Sequence, residues 1–592
     1  MFCKHNSAGC SVVASSTPES STIDVLLSLN RTSSACLGKN STWNCFCFMP
    51  SLGKLNKVRL VRIARWAIFL VALQISASFA QAPAAAASQQ QKIKINAVRV
   101  EGNTLLSEQV LAELTGGVAG SERSVAELNQ LAARVQNAYR DAGYGGVVAY
   151  VPAQEIVAGN VVVRVVEGKL ANVHVKGNVH FDTANVRAGL PNLREGATPV
   201  VRSVDRDIQL SNDNPAKQVK VTLTAGSKPG EIDADVGVTD SKPLKFLLGY
   251  NNTGNETTGK HRVSIGLQHA NLFDRDHVGT MQYQTSPQKP GQVHIFSAGY
   301  RAPLYSQAAS LDAFFARSSV SNGTTFTPAG PLTFAGKGTV VGLRANRNLD
   351  RIGEYDHHAT LGLDWRDYEN DCSVGGFGAA ACGSAAVSVN TAPLSMAYTG
   401  QKQGPKVSWG VNASLSANLG GSSQTTFEAS RSGSKRHYVI SRFTGFSEIA
   451  LGAGFAVHGQ LEVQYSPHAL ISGERLGLGG AASVRGYTER ELAGDSGVAV
   501  RIEALAPPKE AADAFRFRPY VFLDHGWISN HKDLPCRNLT GTSCKLTGAG
   551  LGTRLSIGKN ASATLEIGRA FEHGVTTSSG NVRGHVAINF VY

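Results

Sequence analysis

Three stretches of the sequence contain residue types that could perform covalent, cofactor or metal chemistry. Gly494-Asp495-Ser496-Gly497 has the order of a serine-protease nucleophile motif, but it lacks the final glycine, and no histidine and aspartate partners lie in matching contexts. Gly477-x-Gly479 could begin a dinucleotide loop, but no βαβ unit surrounds it. His357-His358 has neither of the spacings that bind a metal on a helix or in a zinc site. The sequence therefore predicts no catalytic residue, no metal site and no cofactor.

The net charge of +13 would be compatible with a nucleic-acid-binding protein, but its distribution argues against one. Residues 1–80 carry eight basic and two acidic residues, so nearly half of the excess lies in that segment. The rest of the 592-residue chain contains no basic run. A mean hydropathy of −0.11 also excludes a polytopic helical membrane protein. We therefore expect no nucleic-acid partner.

A secretory signal peptide is predicted at residues 49–80. A basic stretch precedes the apolar run from Trp66 to Ile75, and the small residues Ser78 and Ala80 place cleavage after Ala80. The run is shorter than the ~20 residues that a membrane-spanning helix needs. Residues 1–48 precede a signal peptide of normal length, so we interpret them as an extra leader or a mis-assigned translation start. The mature chain is thus expected to be exported.

Export affects how the nine cysteines are interpreted. Five of them lie in the leader, and the mature part keeps two local pairs, Cys372 with Cys382 and Cys536 with Cys544. Because an exported protein folds in an oxidising compartment, we expect that each pair can form a disulfide that closes a short loop.

The mature part begins with a repeat. After a short linker at residues 81–91, Val98-x-Val100-x-Gly102-Asn103 recurs as Val173-x-Val175-x-Gly177-Asn178. Each copy is typical of an alternating strand that ends in a Gly-Asn turn. We assign residues 92–168 to the first module and residues 169–240 to the second.

The first module is predicted to have the element order β-α-α-β-β. Ser107 can cap a short helix, and Ser124 with Glu127 forms a capping box at the start of a second one. Two alternating strands then follow, at Val147–Val151 and Val161–Val166. The second copy is looser, but it contains two comparable strands at its end.

Residues 241–592 are predicted to form a transmembrane antiparallel β-barrel. Apolar and polar residues alternate in Ala359–Trp365, Val457–Tyr465, Ala563–Ile567 and Val586–Tyr592. In lipid, only helices and closed barrels satisfy every backbone polar group, and no amphipathic helix is evident here. The length predicts about 14 to 18 strands, with about 16 as the central value. Several soluble β-sandwiches in series are the alternative.

Two motifs in the predicted barrel carry a family resemblance. Gly479-Gly480-Ala-Ala-Ser-Val484-Arg485-Gly486-Tyr487 and Phe522-Leu523-Asp524-His525-Gly526 resemble the paired motifs of the outer-membrane assembly and secretion superfamily. The two N-terminal modules resemble its polypeptide-transport-associated (POTRA) domains. A barrel after two such modules is similar to the two-partner secretion transporters (TpsB type), the ShlB/FhaC/HecB haemolysin secretion/activation proteins. The resemblance covers residues 92–592.

The resemblance implies a loop, around residues 476–495, that folds into the barrel lumen. Its tip would carry the transport motif Val484, Arg485, Gly486 and Tyr487. The partner motif on the barrel wall would be Phe522, Asp524 and Gly526, with Arg485 paired to Asp524. A buried guanidinium needs such a counter-charge, and a bidentate carboxylate supplies it. The alternative is that Arg485 is an exposed loop residue.

The resemblance also implies a function. The chain would be a protein-conducting transporter of the bacterial outer membrane, in contact with its lipid and monomeric, with the modules in the periplasm. Its partner would be a large exported TpsA-type protein with an N-terminal secretion domain, bound unfolded by β-augmentation in a groove between the second helix and an edge strand. Val135 and Tyr139 would line this groove in the first module, or else belong to that module's core. The identity of the partner is not encoded in this sequence.

Two other functions are compatible with a barrel of this kind. An assembly factor for outer-membrane barrels would share both motifs, although two modules are few for it. A diffusion porin or surface receptor would not need the duplicated module.

Overall fold

The computed structural model describes residues 92–592, with gaps at 321–322, 328–329, 335–336, 371–383, 385, 513–514, 532–533 and 537–540. The predicted leader, signal peptide and linker therefore lie outside the described residues, as do Cys372 and Cys382. Among the helices in the described part, none has both the length and the apolar character needed to cross a bilayer.

The first module has the predicted β-α-α-β-β order, with two additional two-residue strands. Its three-stranded sheet has the order β2-β5-β4, with β2 parallel and β4 antiparallel to β5. The elements are β1 Ile93–Lys94, β2 Ala97–Glu101, α1 Glu108–Thr115, β3 Glu122–Arg123, α2 Val125–Asp141, β4 Val147–Tyr150 and β5 Asn160–Glu167.

Both helices of the first module begin where the sequence predicts. The Ser107 side chain accepts a hydrogen bond from the backbone of Val110, and Ser124 and Glu127 form the reciprocal capping box. One face of α2, which includes Leu128 and Leu131, packs into the module's core. The three-to-four-residue spacing of its apolar positions thus sets which face is buried.

The second module repeats this arrangement with the sheet order β6-β8-β7. Its elements are β6 Lys169–Lys176, α3 Thr183–Ala188, α4 Val201–Asn212, β7 Lys217–Ala225 and β8 Glu231–Asp240.

The two Gly-Asn turns of the repeat have the same geometry. Gly102 and Gly177 both have φ of +86°. In each module, the carboxylate at the end of the last strand accepts hydrogen bonds from the backbone of the turn. Glu167 accepts two such bonds in the first module, and Asp240 accepts three in the second. Burial raises the pKa of Asp240, but these backbone N–H groups outweigh it and bring the pKa below its ordinary value. The sequence repeat is therefore a structural repeat.

The rest of the described chain forms a closed antiparallel barrel with two hairpins, one short α-helix and two single-turn 3-10 helices. The elements are β9 Leu244–Asn251, β10 Arg262–Leu272, β11 His277–Thr285, β12 Ile295–Leu304, β13 Ala309–Ser318, β14 Gly323–Thr327, β15 Gly330–Phe334, β16 Lys337–Asn348, β17 Tyr355–Glu369, β18 Val389–Lys402, β19 Val407–Gly421, α5 Gln424–Ser430, β20 Val439–Gly452, β21 Phe455–Tyr465, β22 Leu476–Leu478, β23 Leu492–Gly494, β24 Ser496–Leu505, β25 Lys509–Ala512, β26 Phe515–Ser529, β27 Ser543–Ile557, β28 Ala561–Ala570 and β29 Val582–Val591.

The barrel has sixteen strands, because β24 and β25 both pair with β26 and act as one interrupted strand. The hairpins β14–β15 and β22–β23 lie outside the ring, and β29 pairs with β9 to close it. The predicted fold class and strand number are thereby confirmed.

Alternation along each strand separates an apolar outer face from a polar lumen. On β26, Val521, Leu523 and Trp527 are 52%, 51% and 43% exposed, whereas Phe522 and Asp524 between them are buried. This is the pattern expected of a barrel with lipid outside and water inside. We call the end of the barrel next to the second module the module end, where the turns are short, and the other end the far end, where the loops are long.

The second module docks on the module-end turns through a buried charge. The Lys217 ammonium, with no exposed area, lies 2.5 Å from a carboxylate oxygen of Asp276 and 3.0 Å from the side-chain oxygen of Asn185. The Tyr305 hydroxyl donates to the same carboxylate at 2.5 Å. Asn185 also donates to the backbone oxygen of Asp274 at 3.0 Å. Burial lowers the pKa of Lys217, and Asp276 opposes that shift.

Replacing this lysine should loosen the docking. Lys217→Met leaves the Asp276 carboxylate buried without its cation, which should cost about 3–5 kcal/mol of docking free energy. Spin labels introduced at Val179 and Ile352, both exposed, would report the distance between the second module and a module-end turn. We expect a broader distance distribution in Lys217→Met.

The matched control is Lys176→Met, because Lys176 forms an ion pair with Asp235 while 73% exposed. This control should leave the distance distribution unchanged. A narrow, unshifted distribution in Lys217→Met would contradict the assigned role of the buried pair.

Candidate functional site

The predicted lumen-entering loop is present. We call residues 466–495, between β21 and β24, the lumen loop. Its β22–β23 hairpin carries a tip that packs on the wall formed by β24, β26, β27 and β28. Leu478, Val484 and Tyr487 of the loop form one buried apolar cluster with Ile528 and Leu546 of the wall. Apolar packing therefore contributes to holding the tip on the wall, independently of the ion pairs.

Arg485 lies at the centre of this contact and has no exposed area. Its Nε and Nη2 atoms each donate to a carboxylate oxygen of Asp524 at 2.7 Å, which is the bidentate pair expected from the resemblance. Its Nη1 atom donates to Glu503 at 2.8 Å and to Glu566 at 2.6 Å. The guanidinium also stacks 3.6 Å from the ring centre of Phe522.

Two further arginines balance the negative charge of the wall. Arg554 pairs with Glu503 at 2.5 Å, and Arg501 lies 3.7 Å from Glu503 and 3.9 Å from Asp524. Together with Arg485 they give three guanidinium groups for three carboxylates. A charge-neutral cluster with this many hydrogen bonds compensates for the large desolvation cost of its members.

Close backbone approach explains two glycines at the site. Gly486 has φ of +97°, its N–H donates to the ring of His585 at 3.2 Å, and an added Cβ would lie 2.9 Å from the backbone of Arg569. On the wall, a Cβ on Gly548 would lie 2.0 Å from the backbone oxygen of Arg485. A side chain at either position would push the loop off the wall.

The remaining motif residues also lie in this contact. The Tyr487 hydroxyl donates to the backbone oxygen of Glu572 at 3.0 Å and accepts from its N–H at 2.9 Å. Gly526 leaves room for Val484, which an added Cβ would approach to 3.2 Å. The structure therefore brings all seven predicted residues of the two motifs together.

Asp495 and Ser496, in the protease-like stretch, have structural partners. The Asp495 carboxylate accepts hydrogen bonds from both terminal nitrogens of Arg431, at 2.6 and 3.2 Å. It also accepts hydrogen bonds from the backbone N–H groups of Leu470 and His531. The Ser496 hydroxyl accepts the backbone N–H of Ser466 at 3.0 Å. These residues join the base of the lumen loop to two far-end loops.

Of the two predicted cysteine pairs, Cys536 and Cys544 form a disulfide. Cys372 and Cys382 lie outside the described residues. Cys536 is buried in the same apolar cluster as Leu478 and Tyr487. The disulfide therefore supports the lumen loop and does more than close a surface loop.

The predicted groove residues of the first module have a different location. Val135 and Tyr139 have no exposed area and belong to the module's core. The groove interpretation is wrong for these two residues, because the apolar face of α2 points towards the sheet. The Tyr139 hydroxyl donates to Glu167 at 3.1 Å, and burial raises the pKa of Tyr139.

An accessible edge does exist next to α2. Strand β4 is an edge strand of the first module's sheet. The N–H of Ala149 donates to the side-chain oxygen of Gln136 on α2 at 3.2 Å. Val148 and Tyr150 on either side of it are 51% and 41% exposed. An extended peptide could add to this edge by taking the place of Gln136.

Sequence reasoning missed several wall residues that contact the loop tip, among them Glu503, Glu566 and His585, which form hydrogen bonds with it. Strand alternation gave a usable signal for two of them, since Glu566 and His585 occupy polar, lumen-facing positions in strands predicted from the sequence. Alternation does not indicate which loop residue they meet, because that depends on how the strands close into a ring.

Comparisons with known proteins agree with this geometry. The model of the haemolysin secretion/activation protein family ShlB/FhaC/HecB matches residues 230–555, and the ShlB-type POTRA domain matches residues 93–168. The outer membrane transporter CdiB of Dickeya dadantii is 24% identical over 486 residues, covering 78% of this chain and 81% of that protein. The heme/hemopexin transporter protein HuxB of Haemophilus influenzae is 26% identical over 164 residues, or 27% of this chain and 29% of HuxB.

Two solved structures share the fold. CdiB from Escherichia coli superposes with a TM-score of 0.70 at 17% identity, covering 92% of this chain and all of that one. CdiB from Acinetobacter baumannii gives a TM-score of 0.64 at 16% identity, covering 91% of this chain and all of that one.

Removing the disulfide should destabilise the docked loop. Cys536→Ser increases the number of conformations that the loop can adopt when it is not docked. Closing so short a loop with a disulfide contributes about 2–3 kcal/mol of stability. We expect faster proteolysis within the lumen loop and an unchanged barrel, measured as heat-modifiable mobility on a gel. Cys544→Ser should behave identically. Equal proteolysis rates for oxidised wild type and both variants would contradict a supporting role.

Proposed function

Because the chain belongs to the ShlB/FhaC/HecB family of haemolysin secretion/activation proteins, we propose how its modules and lumen loop carry out secretion. The chain is an outer-membrane transporter that secretes protein through its β-barrel and acts with an exported partner protein. Its N-terminal modules lie in the periplasm, so the module end of the barrel is the periplasmic end and the far end faces the cell exterior. The family match supports neither the assembly-factor nor the porin alternative.

The first step is capture of the unfolded partner at the edge of β4. An incoming strand would hydrogen-bond to the main chain of Ala149 in place of the Gln136 side chain. Its side chains would meet the exposed Val148 and Tyr150. Main-chain pairing gives affinity without requiring one sequence, which suits an unfolded cargo with many segments.

The second step is passage through a lumen that the docked loop shapes. The single observation that carries this step is Arg485, fully buried and held by three wall carboxylates. A charge-neutral, internally hydrogen-bonded cluster offers a passing polypeptide little to bind. No nucleotide energy source exists in the periplasm, so folding of the partner outside the cell would supply direction.

We also propose that the barrel lies in outer-membrane lipid as a monomer. Its outward apolar face would contact outer-membrane lipid. The ring closed by β29 and β9 leaves no open edge among the barrel strands, which favours a monomer.

Breaking the central ion pair should stop secretion. Arg485→Ala leaves three carboxylates facing a cavity, and Asp524→Arg places two guanidinium groups against each other. Loss of one partner of a buried pair costs about 3–5 kcal/mol, so we expect secretion of the partner to fall at least tenfold in both variants. The readout is the partner in the culture medium, with equal amounts of folded transporter in the membrane.

Arg485→Lys is the graded control. It keeps the charge but loses the two-pronged geometry, so secretion should be intermediate. Wild-type secretion in both Arg485→Ala and Asp524→Arg would exclude the proposed role of the loop.

Blocking the edge of β4 should weaken capture without affecting the barrel. Ala149→Pro removes the outward N–H and hinders strand addition, which should weaken binding of the partner's N-terminal domain to the full-length transporter about tenfold. Gln136→Ala is the matched variant, because it frees the same N–H and should bind as well as wild type or better. Equal affinity for all three proteins would exclude this edge as the binding site.

A further inference from the structure

Another charged residue of the lumen loop, Glu474, is buried against a different part of the wall from Arg485. Glu474 is 2% exposed. Its carboxylate oxygens accept hydrogen bonds from Nη1 of Arg366 at 2.8 and 3.0 Å, and one of them accepts from the Tyr368 hydroxyl at 2.8 Å. Arg442 lies 3.5 Å away. The charges are reversed relative to the tip, because here the loop supplies the carboxylate and the wall supplies the guanidinium groups.

The wall residues around Glu474 are themselves held in place. Arg366 also donates to Asp364 at 2.6 Å, and Asp364 is paired with Arg344 on the next strand. The backbone oxygen of Glu474 accepts the side-chain amide of Gln464 at 3.1 Å. The base of the loop is therefore bonded to β17 and β21 and lies within ion-pair distance of β20.

The two contacts lie on different parts of the wall. Glu474 has its charged partners on β17 and β20, whereas Arg485 has its partners on β24, β26 and β28. In the sixteen-strand ring, β17 and β28 are eight positions apart, and the two nearest strands, β20 and β24, are two positions apart. The lumen loop is thus ion-paired to two separate parts of the wall, and the loop's charge has opposite signs at the two contacts.

We propose that Glu474 is a positioning residue for transport: it holds the base of the lumen loop against β17, and its release widens the path for the polypeptide while Arg485 keeps the tip docked. This inference rests on the proposed function, because it concerns the same loop and the same cargo.

The surroundings of the two ends explain why the Glu474 end releases more easily. The side chains of Arg366 and Arg442 are 20% and 34% exposed, so water can solvate them when Glu474 leaves. Arg366 would also keep its bond to Asp364. At the tip, the three carboxylates that hold Arg485 are at most 7% exposed, and the departure of Arg485 would leave them with only two arginines.

Single-channel conductance of the purified full-length chain in planar bilayers tests the proposal. Glu474→Gln keeps the size of the side chain and Arg366→Gln shortens it, and each removes the ion pair between Glu474 and Arg366. Each should increase, about tenfold or more, the fraction of time that the channel spends in the wider, more conducting state in which residue 474 is released, because the buried pair no longer opposes that release. The double variant should raise this population no further than Glu474→Gln does, because that single variant already lacks the contact with Arg366. The control is Glu510→Gln, which removes an exposed pair with Arg516 near the periplasmic end and should leave conductance unchanged.

Secretion of the partner, measured in parallel, separates this inference from the proposed function. Both Gln variants should still secrete, whereas Arg485→Ala should not. Unchanged conductance in folded Glu474→Gln and Arg366→Gln would overturn the inference, and the proposed function would stand as long as Arg485→Ala blocks secretion. Loss of secretion in the two Gln variants at normal membrane levels would also overturn it, since release would then disable transport. Normal secretion in Arg485→Ala would instead count against the proposed function.

Discussion

The burial of one guanidinium group constrains most of the barrel interior. Arg485 could not leave water without partners, since an unpaired buried charge costs several kcal/mol. Its docking therefore requires Glu503, Asp524 and Glu566 to face the lumen at one level of the wall. It also requires a flat stretch of wall, which Gly548 provides. Loop position, wall charge and wall shape thus depend on one another.

Strand register makes this arrangement possible. In the pairing of β24 with β26, Glu503 lies opposite Phe522 and Arg501 lies opposite Asp524, so acidic and basic side chains alternate on one lumen-facing patch. A slip of one residue in either strand would turn its charged residues towards lipid and its apolar residues towards water. The hydrophobic pattern that places the barrel in the membrane therefore also fixes the geometry of the charge cluster.

Local patterns in the sequence predicted much of this structure. Contacts made only on closure have no local signal, and the one that was expected, Arg485 with Asp524, came from the family resemblance. The capping box of Ser124, the repeat around Gly102 and the alternation around Glu566 are set by neighbours in sequence, so they could be recognised directly. The pairing of Glu474 with Arg366 joins residues more than a hundred positions apart, and no local period encodes it. Helical periodicity likewise identified the buried face of α2 correctly but could not show that Val135 lies under the sheet and away from the edge.

The same dependence on through-space contacts extends from the barrel to the capture edge. The N–H of Gly145 in the first module donates to the backbone of Pro199 in the second, and Val201 donates back to Gly143. The second module is in turn fixed to the barrel by buried Lys217. Main-chain bonds at one joint and a buried ion pair at the other hold β4 at a set orientation to the lumen. A cargo strand captured at that edge would then be presented in one direction to a lumen that the docked loop occupies.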